Sequence, residues 1–142
     1  MNNIISEIEL KYNPIVNRGS RVKITHPESA YKAFLEGWNK DTIELYEEFK
    51  IMLLNRANEV LGIYTLSKGG ISGTVVDLKL LFAVVLKSAA SAIILAHNHP
   101  SGNLQPSKAD KRLHEKIKKV AGYLDIQVLD NMVITKFKFL CL

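Results

Sequence analysis

Five consecutive apolar residues, Ala92-Ile93-Ile94-Leu95-Ala96, run directly into His97-Asn98-His99-Pro100. So short a run, free of polar alternation, reads as a strand buried on both faces. A chain built around such a strand must cover its sheet. We therefore expect an α/β (α+β) fold: a single domain with a mixed β-sheet and helices packed against it.

The elements needed to build that sheet can be placed along the chain. Ile4 to Tyr12 alternates apolar and polar residues like a short edge strand, closed by Asn13-Pro14. Thr25-His26-Pro27-Glu28 reads as a helix start, with Thr25 as N-cap and Glu28 as its capping-box partner, and the helix runs to about Trp38. Glu47 to Leu54 and Glu59 to Thr65 read as a hairpin across Asn55-Arg56-Ala57-Asn58, and Gly69, Gly70 and Gly73 punctuate a third strand. Asp77 caps a helix in which Leu78, Leu81, Phe82, Val85, Leu86 and Ala89 recur at helical spacing, with Lys79 and Lys87 outward. After the loop 101–106 a helix runs from Ser107 to about Ala121, burying Ala109, Leu113, Ile117 and Val120, with Gly122 as its C-terminal cap. Ile126 to Leu129 and Met132 to Phe137 supply closing strands on either side of Asp130-Asn131. No repeat or linker interrupts this order, so we divide the chain into an N-terminal extension, 1–40, and a domain, 41–142.

Composition enters as a set of exclusions. With 142 residues, 47% of them hydrophobic and 23% charged, the chain suits one core and needs no disulfide. Cys141 stands alone, which fits a reducing, cytoplasmic setting. The first residues lack a basic stretch followed by an apolar one, and no apolar run approaches the roughly 18–20 residues of a membrane span, so we expect neither export nor a membrane partner. The net charge is +5, with much of the excess in Lys108, Lys111, Arg112, Lys116, Lys118 and Lys119. These read first as the solvated face of one helix. A phosphate-contacting patch is the alternative, and no aromatic residues interleave them as single-strand binding requires.

The chemistry concentrates after the buried strand. His97 and His99, two apart in an extended segment, point the same way with Cα atoms roughly 6.6 Å apart. Asp110 follows eleven residues after His99 in the first turn of the next helix, and the intervening loop is short enough to fold that turn back over the histidines. Two imidazoles and one carboxylate form a zinc set with an open fourth position. Ser107-x-x-Asp110 is equally a capping box, and on local sequence alone the cap is the better reading. Water at such a metal needs a base, and Glu47, on the same face as Phe49 and Ile51, points inward, whereas Glu48 is expected to face solvent with Lys50.

The run Ile93 to Gly102, then Pro106-Ser107-x-x-Asp110, with Glu47-x-Phe49 upstream, closely resembles the RadC-like members of the JAB/MPN (JAMM) metalloprotease clan over about residues 42–136. The resemblance implies a cytidine-deaminase-like JAB/MPN architecture and one Zn2+ per chain held by His97, His99 and Asp110. It also implies Glu47 as general base on the bound water and Ser107 as stabiliser of the oxyanion. The clan hydrolyses amide bonds, often isopeptide bonds to ubiquitin-like proteins, so a peptide or protein substrate is implied. The branch takes its name from DNA repair and recurs on mobile elements, and a non-catalytic DNA-associated accessory is the alternative. Asn131 stands where the family usually has His, and His114 where Thr is common. For His114 an outer partner of the site and a surface position are both open, the surface position being preferred. The chain stops at Leu142 where relatives continue, and the helix-hairpin-helix part that precedes many relatives is not found in it. Edge strands such as Ile4 to Tyr12 would permit a homodimer without requiring one.

Overall fold

The computed structural model describes residues 4–70 and 75–142. Five strands form one mixed sheet in the order β2-β1-β3-β4-β5: β1 (Glu48–Leu54), β2 (Val60–Lys68), β3 (Ala92–Asn98), β4 (Gln127–Ile134) and β5 (Phe139–Cys141). Only β3 and β4 run parallel; β1 is antiparallel to both β2 and β3, and β5 antiparallel to β4. The parallel pair needs a crossover, which α3 (Lys108–Tyr123) supplies.

Every residue of β3 is buried, because both faces of the sheet are covered. On one face Ala92, Ile94 and Ala96 pack with Ala30, Tyr31 and Phe34 of α1 (Pro27–Gly37), and with Trp38 just beyond it. On the other face Ile93 and Leu95 pack with Leu81, Phe82 and Val85 of α2 (Leu78–Lys87) and with Ile117 and Ala121 of α3. Period-two alternation then decides which residues reach which layer: His97 falls on the α2/α3 face and Asn98 on the α1 face.

Several local expectations are corrected. Ile4 to Tyr12 is not a strand: Ile4, Ile8 and Leu10 lie exposed, and the hydroxyl of Tyr12 donates to the Leu61 carbonyl at 3.1 Å. Alternation without a partner edge does not make a strand. The first helix has His26, not Thr25, at its N-cap, and the residue that closes the cap is Ser29, whose Oγ accepts from the His26 N–H and donates to the His26 carbonyl. Glu28 pairs with Lys32 instead. Gly69 and Gly70 follow β2 with only an isolated bridge at Gly70, and Gly73 lies outside the described residues. In α2, Leu86 and Ala89 are exposed, the latter having left the helix with φ 54°.

The helix α3 continues through Gly122 to Tyr123, and the left-handed residue that ends it is Asp125 (φ 55°). Asp130 and Asn131 do not form a turn. They lie within the continuous strand β4, where the pairing to β3 skips Leu129. Finally, Glu48 is buried, only 3% exposed, because α1 and Trp38 cover that face; neighbouring Lys50 places its ammonium 4.8 Å from the Trp38 ring centre.

Candidate metal centre

β3 extends through His97 to Asn98, so the first histidine is held inside the sheet and not on the loop beyond it. Phe49 of β1 pairs with it across the ladder and stacks on its ring, the centroids 5.9 Å apart. His99 leaves the strand with its N–H still donating to the Ile134 carbonyl at 3.2 Å. A turn then reverses the chain, Gly102 N–H donating to His99 O, with Gly102 at φ 83°, where a side chain would be strained. The reversal brings the first turn of α3 back over the histidines.

The result is a tight triangle. Nε2 of His97 and Nε2 of His99 are 3.1 Å apart, and each lies 3.3 Å from Asp110 Oδ2. Atoms bound tetrahedrally to one zinc ion at about 2.0–2.1 Å would stand roughly 3.3–3.4 Å from each other. The observed edges match a face of that tetrahedron. The tautomers also suit an ion: His99 Nδ1 lies 2.6 Å from the Asn103 carbonyl, which can only accept, so Nδ1 carries the hydrogen and the neutral ring turns its Nε2 lone pair inward. Two lone pairs and a carboxylate oxygen at these distances repel unless a proton or a cation joins them. Among the described residues this is the one cluster of three such side chains able to hold a metal ion.

The charges respond accordingly. Hydrogen bonding to Asp110 raises the His99 pKa, with the Asn103 carbonyl and the charges of Asp110 and Glu47 adding to the effect and burial opposing it. Burial works to raise the Asp110 pKa, but hydrogen bonds to His97 and His99 and from the Ser107 N–H outweigh it and hold the carboxyl well below its usual range.

The cap leaves the carboxylate of Asp110 facing the histidines. Ser107 Oγ accepts from the Asp110 N–H at 3.0 Å, and Asp110 Oδ2 accepts from the Ser107 N–H at 2.8 Å while facing both histidines. The capping box aims the carboxylate. Ser107 thus reaches the site through Asp110, and its hydroxyl proton remains available to donate.

Glu47, one residue before β1, lines a cavity of about 30 Å3 with Phe49, Val76, His97, Asp110, Leu113 and Asn131. That space suffices for one or two waters, since about 10–15 Å3 holds one. A larger cavity of about 270 Å3 lies at the opposite end of the sheet beside Asn55, Arg56 and Asp125, but no set of ligating side chains converges there, so chemistry and not size marks the site.

Two residues gain a place that the sequence left open. Asn131, 2% exposed, joins the cavity wall and lies with Nδ2 3.0 Å from His114 Nδ1. His114 is half-buried and reaches the cavity wall through Asn131; burial lowers its pKa, and Lys118 adds to the effect. Burial, with Asp130 beside it, pushes the thiol of Cys141 up to about 12.

A mixed sheet whose buried strand leads into two histidines, with a capped carboxylate turned back upon them, is an arrangement that can be compared with known domains. Residues 24–142 match the RadC-like JAB domain, and the chain belongs to that family. It is similar to a UPF0758 protein of Flavobacterium johnsoniae, 48% identical over 94 residues, which are 66% of this chain and 41% of that one. It also resembles a UPF0758 protein of Gloeothece citriformis, 36% identical over 80% of this chain and 46% of the relative. One from Caldanaerobacter subterraneus is 32% identical over 82% and 49% respectively. The chain spans less than half the length of these curated relatives. Among the described residues no helix is long and apolar enough to cross a membrane.

Proposed function

We propose that this chain is a zinc-dependent hydrolase of the JAB/MPN type that cleaves a peptide or isopeptide bond. The observation that carries the reading is the triangle of His97 Nε2, His99 Nε2 and Asp110 Oδ2 with edges of 3.1–3.3 Å, opening beside a water-sized cavity walled by Glu47. Zinc supports this reading better than Mg2+ or Ca2+, which prefer all-oxygen sets. When bound, zinc supplies a Lewis acid at which water loses a proton near neutral pH.

The protein's own residues would do the rest. His97, buried against Phe49, and His99, fixed by Asn103, hold the ion in place with Asp110. Glu47 takes the proton of the attacking water and returns it to the leaving amine. Ser107 donates its hydroxyl to the oxyanion that forms when water adds to the carbonyl. Zinc-loaded protein is expected to cleave members of a peptide and isopeptide library, and Glu47→Gln to abolish cleavage with zinc retained. Cleavage that persists in Glu47→Gln would remove Glu47 from the role of base.

A second reading has an observation of its own. Lys108, Lys111, Arg112, Lys116, Lys118 and Lys119 are all exposed on α3, beside the metal centre. In this reading the chain is a DNA-associated accessory, and its binding to duplex or single-stranded DNA weakens steeply between two salt concentrations. Absence of binding at low salt rejects it. Self-association through exposed apolar surface is expected to appear, if at all, as a dimer in sedimentation.

A further inference from the structure

Asn98 stands between the two histidines in sequence and on the opposite side of the sheet in space, with no exposed surface. The α1 face that receives it is apolar apart from Glu48 and Lys50, and both ends of its carboxamide are engaged. Nδ2 donates to the carbonyls of Ile43 at 2.7 Å and Tyr46 at 2.9 Å, and Oδ1 accepts from the Glu48 N–H at 2.7 Å. Only this orientation of the amide satisfies two carbonyls and one N–H.

Tyr46 and Glu48 are the neighbours of Glu47. The β1–β3 ladder begins at the Phe49–His97 pair, so Glu47 lies beyond the strand that holds the metal-facing histidines. On its other side its carbonyl accepts from Gly69 N–H at 2.8 Å, a bond to the β2 side and not to β3. Beyond the Phe49–His97 pair, the tie from the histidine strand to the residues flanking Glu47 runs through the side chain of Asn98.

We propose that Asn98 is a positioning residue: by clamping the backbone on both sides of Glu47 it sets where that carboxylate stands relative to His97, His99 and Asp110. The inference rests on the reading of Glu47 as the base. One tripeptide then does two jobs, its odd positions facing the metal centre and its even position registering the base from behind.

The test loads Co2+ in place of zinc and follows pseudocontact shifts of backbone amides in wild type, Asn98→Ala and Asn98→Asp. Asn98→Asp keeps the acceptor for the Glu48 N–H but loses both donors, and as the isosteric change it serves if Asn98→Ala does not fold. We expect one Co2+ per chain in each protein and unchanged shifts across α3 and β3. The amides of Tyr46, Glu47 and Glu48 should shift, and the Glu48 amide should exchange at least tenfold faster in Asn98→Ala. On any peptide the wild type cleaves, kcat should fall about 100-fold with KM unchanged, the scale expected for a displacement of about 1 Å. Shifts at 46–48 that superimpose on wild type, or loss of Co2+ from the folded variants, would each overturn the proposal. If the wild type cleaves no peptide, the hydrolase reading fails while the cobalt shifts still decide the role of Asn98.

Discussion

His99 and Asp110 hold each other's charge in the metal-free protein, and the consequence for stability has a definite sign. His99 has its pKa raised on folding, so its contribution is present below the ordinary value of 6.5 and is lost as pH rises through the raised one. Asp110 has its pKa depressed, so its contribution is present above the ordinary 3.8 and is lost as pH falls toward the depressed one. The His99 contribution should therefore fall between about pH 6 and pH 8; since the lowered pKa of His114 acts in the opposite sense, thermal melts of metal-free His114→Gln protein at both values check it. Zinc competes with the proton for His99, so added zinc should raise Tm more at pH 8 than at pH 6. An equal rise at both values would contradict the pairing. At this scale the sequence was informative about which side chains converge, because period two and a short loop suffice to bring His97, His99 and Asp110 together. It was poor at judging Glu48, Asn98 and His114. The partners of these three lie far along the chain, at Lys68, at Ile43 and Tyr46, and at Asn131, and no local pattern reveals such pairings.

Among the elements, the first turn of α3 carries most of the site's precision. Removing the Ser107 hydroxyl by Ser107→Ala should cost about 1 kcal/mol through the lost N-cap. It should also weaken zinc binding tenfold or more, since the Asp110 N–H loses its acceptor and the carboxylate its registration. Denaturation of the metal-free protein and competition with a chelator measure the two effects separately. The buried strand is less forgiving. Truncating Leu95, fully buried under the α2/α3 layer, to Ala should cost about 2–5 kcal/mol. The spans of β3, of α2 with its Asp77 cap and of α3 could be read from the residues to within a few positions, but not every buried residue: Ala109, expected inside, is exposed. The alternation of Ile4 to Tyr12 misled because a strand exists only when another edge pairs with it. Asp130-Asn131 misled because turn-forming residues are tolerated inside a strand where a bulge and a buried side chain employ them.

For the molecule as a whole, the three layers explain why one short sequence can carry both ligands and their support. The sheet separates two cores: the cluster of His97, His99 and Asp110 lies on the α2/α3 side, while the Asn98 side chain and its bonds to Ile43, Tyr46 and Glu48 lie on the α1 side. The need for cover on β3 was evident from its unbroken hydrophobicity, and so was the mixed sheet. Which helix lay on which face was not, since periodicity gives a buried stripe but no partner. The net charge of +5 belongs to this scale too, and an electrostatic role for the α3 face stands or falls with the salt dependence of DNA binding.

The most direct test of the account is the metal content of the purified protein, measured by elemental analysis beside His97→Ala and Asp110→Ala. The account predicts about one zinc per chain in the wild type and none in either variant, with circular dichroism showing both variants folded. A wild type that takes up no zinc after reconstitution, or an Asp110→Ala variant that retains a full equivalent, would contradict it and leave Ser107 and Asp110 as a helix cap alone.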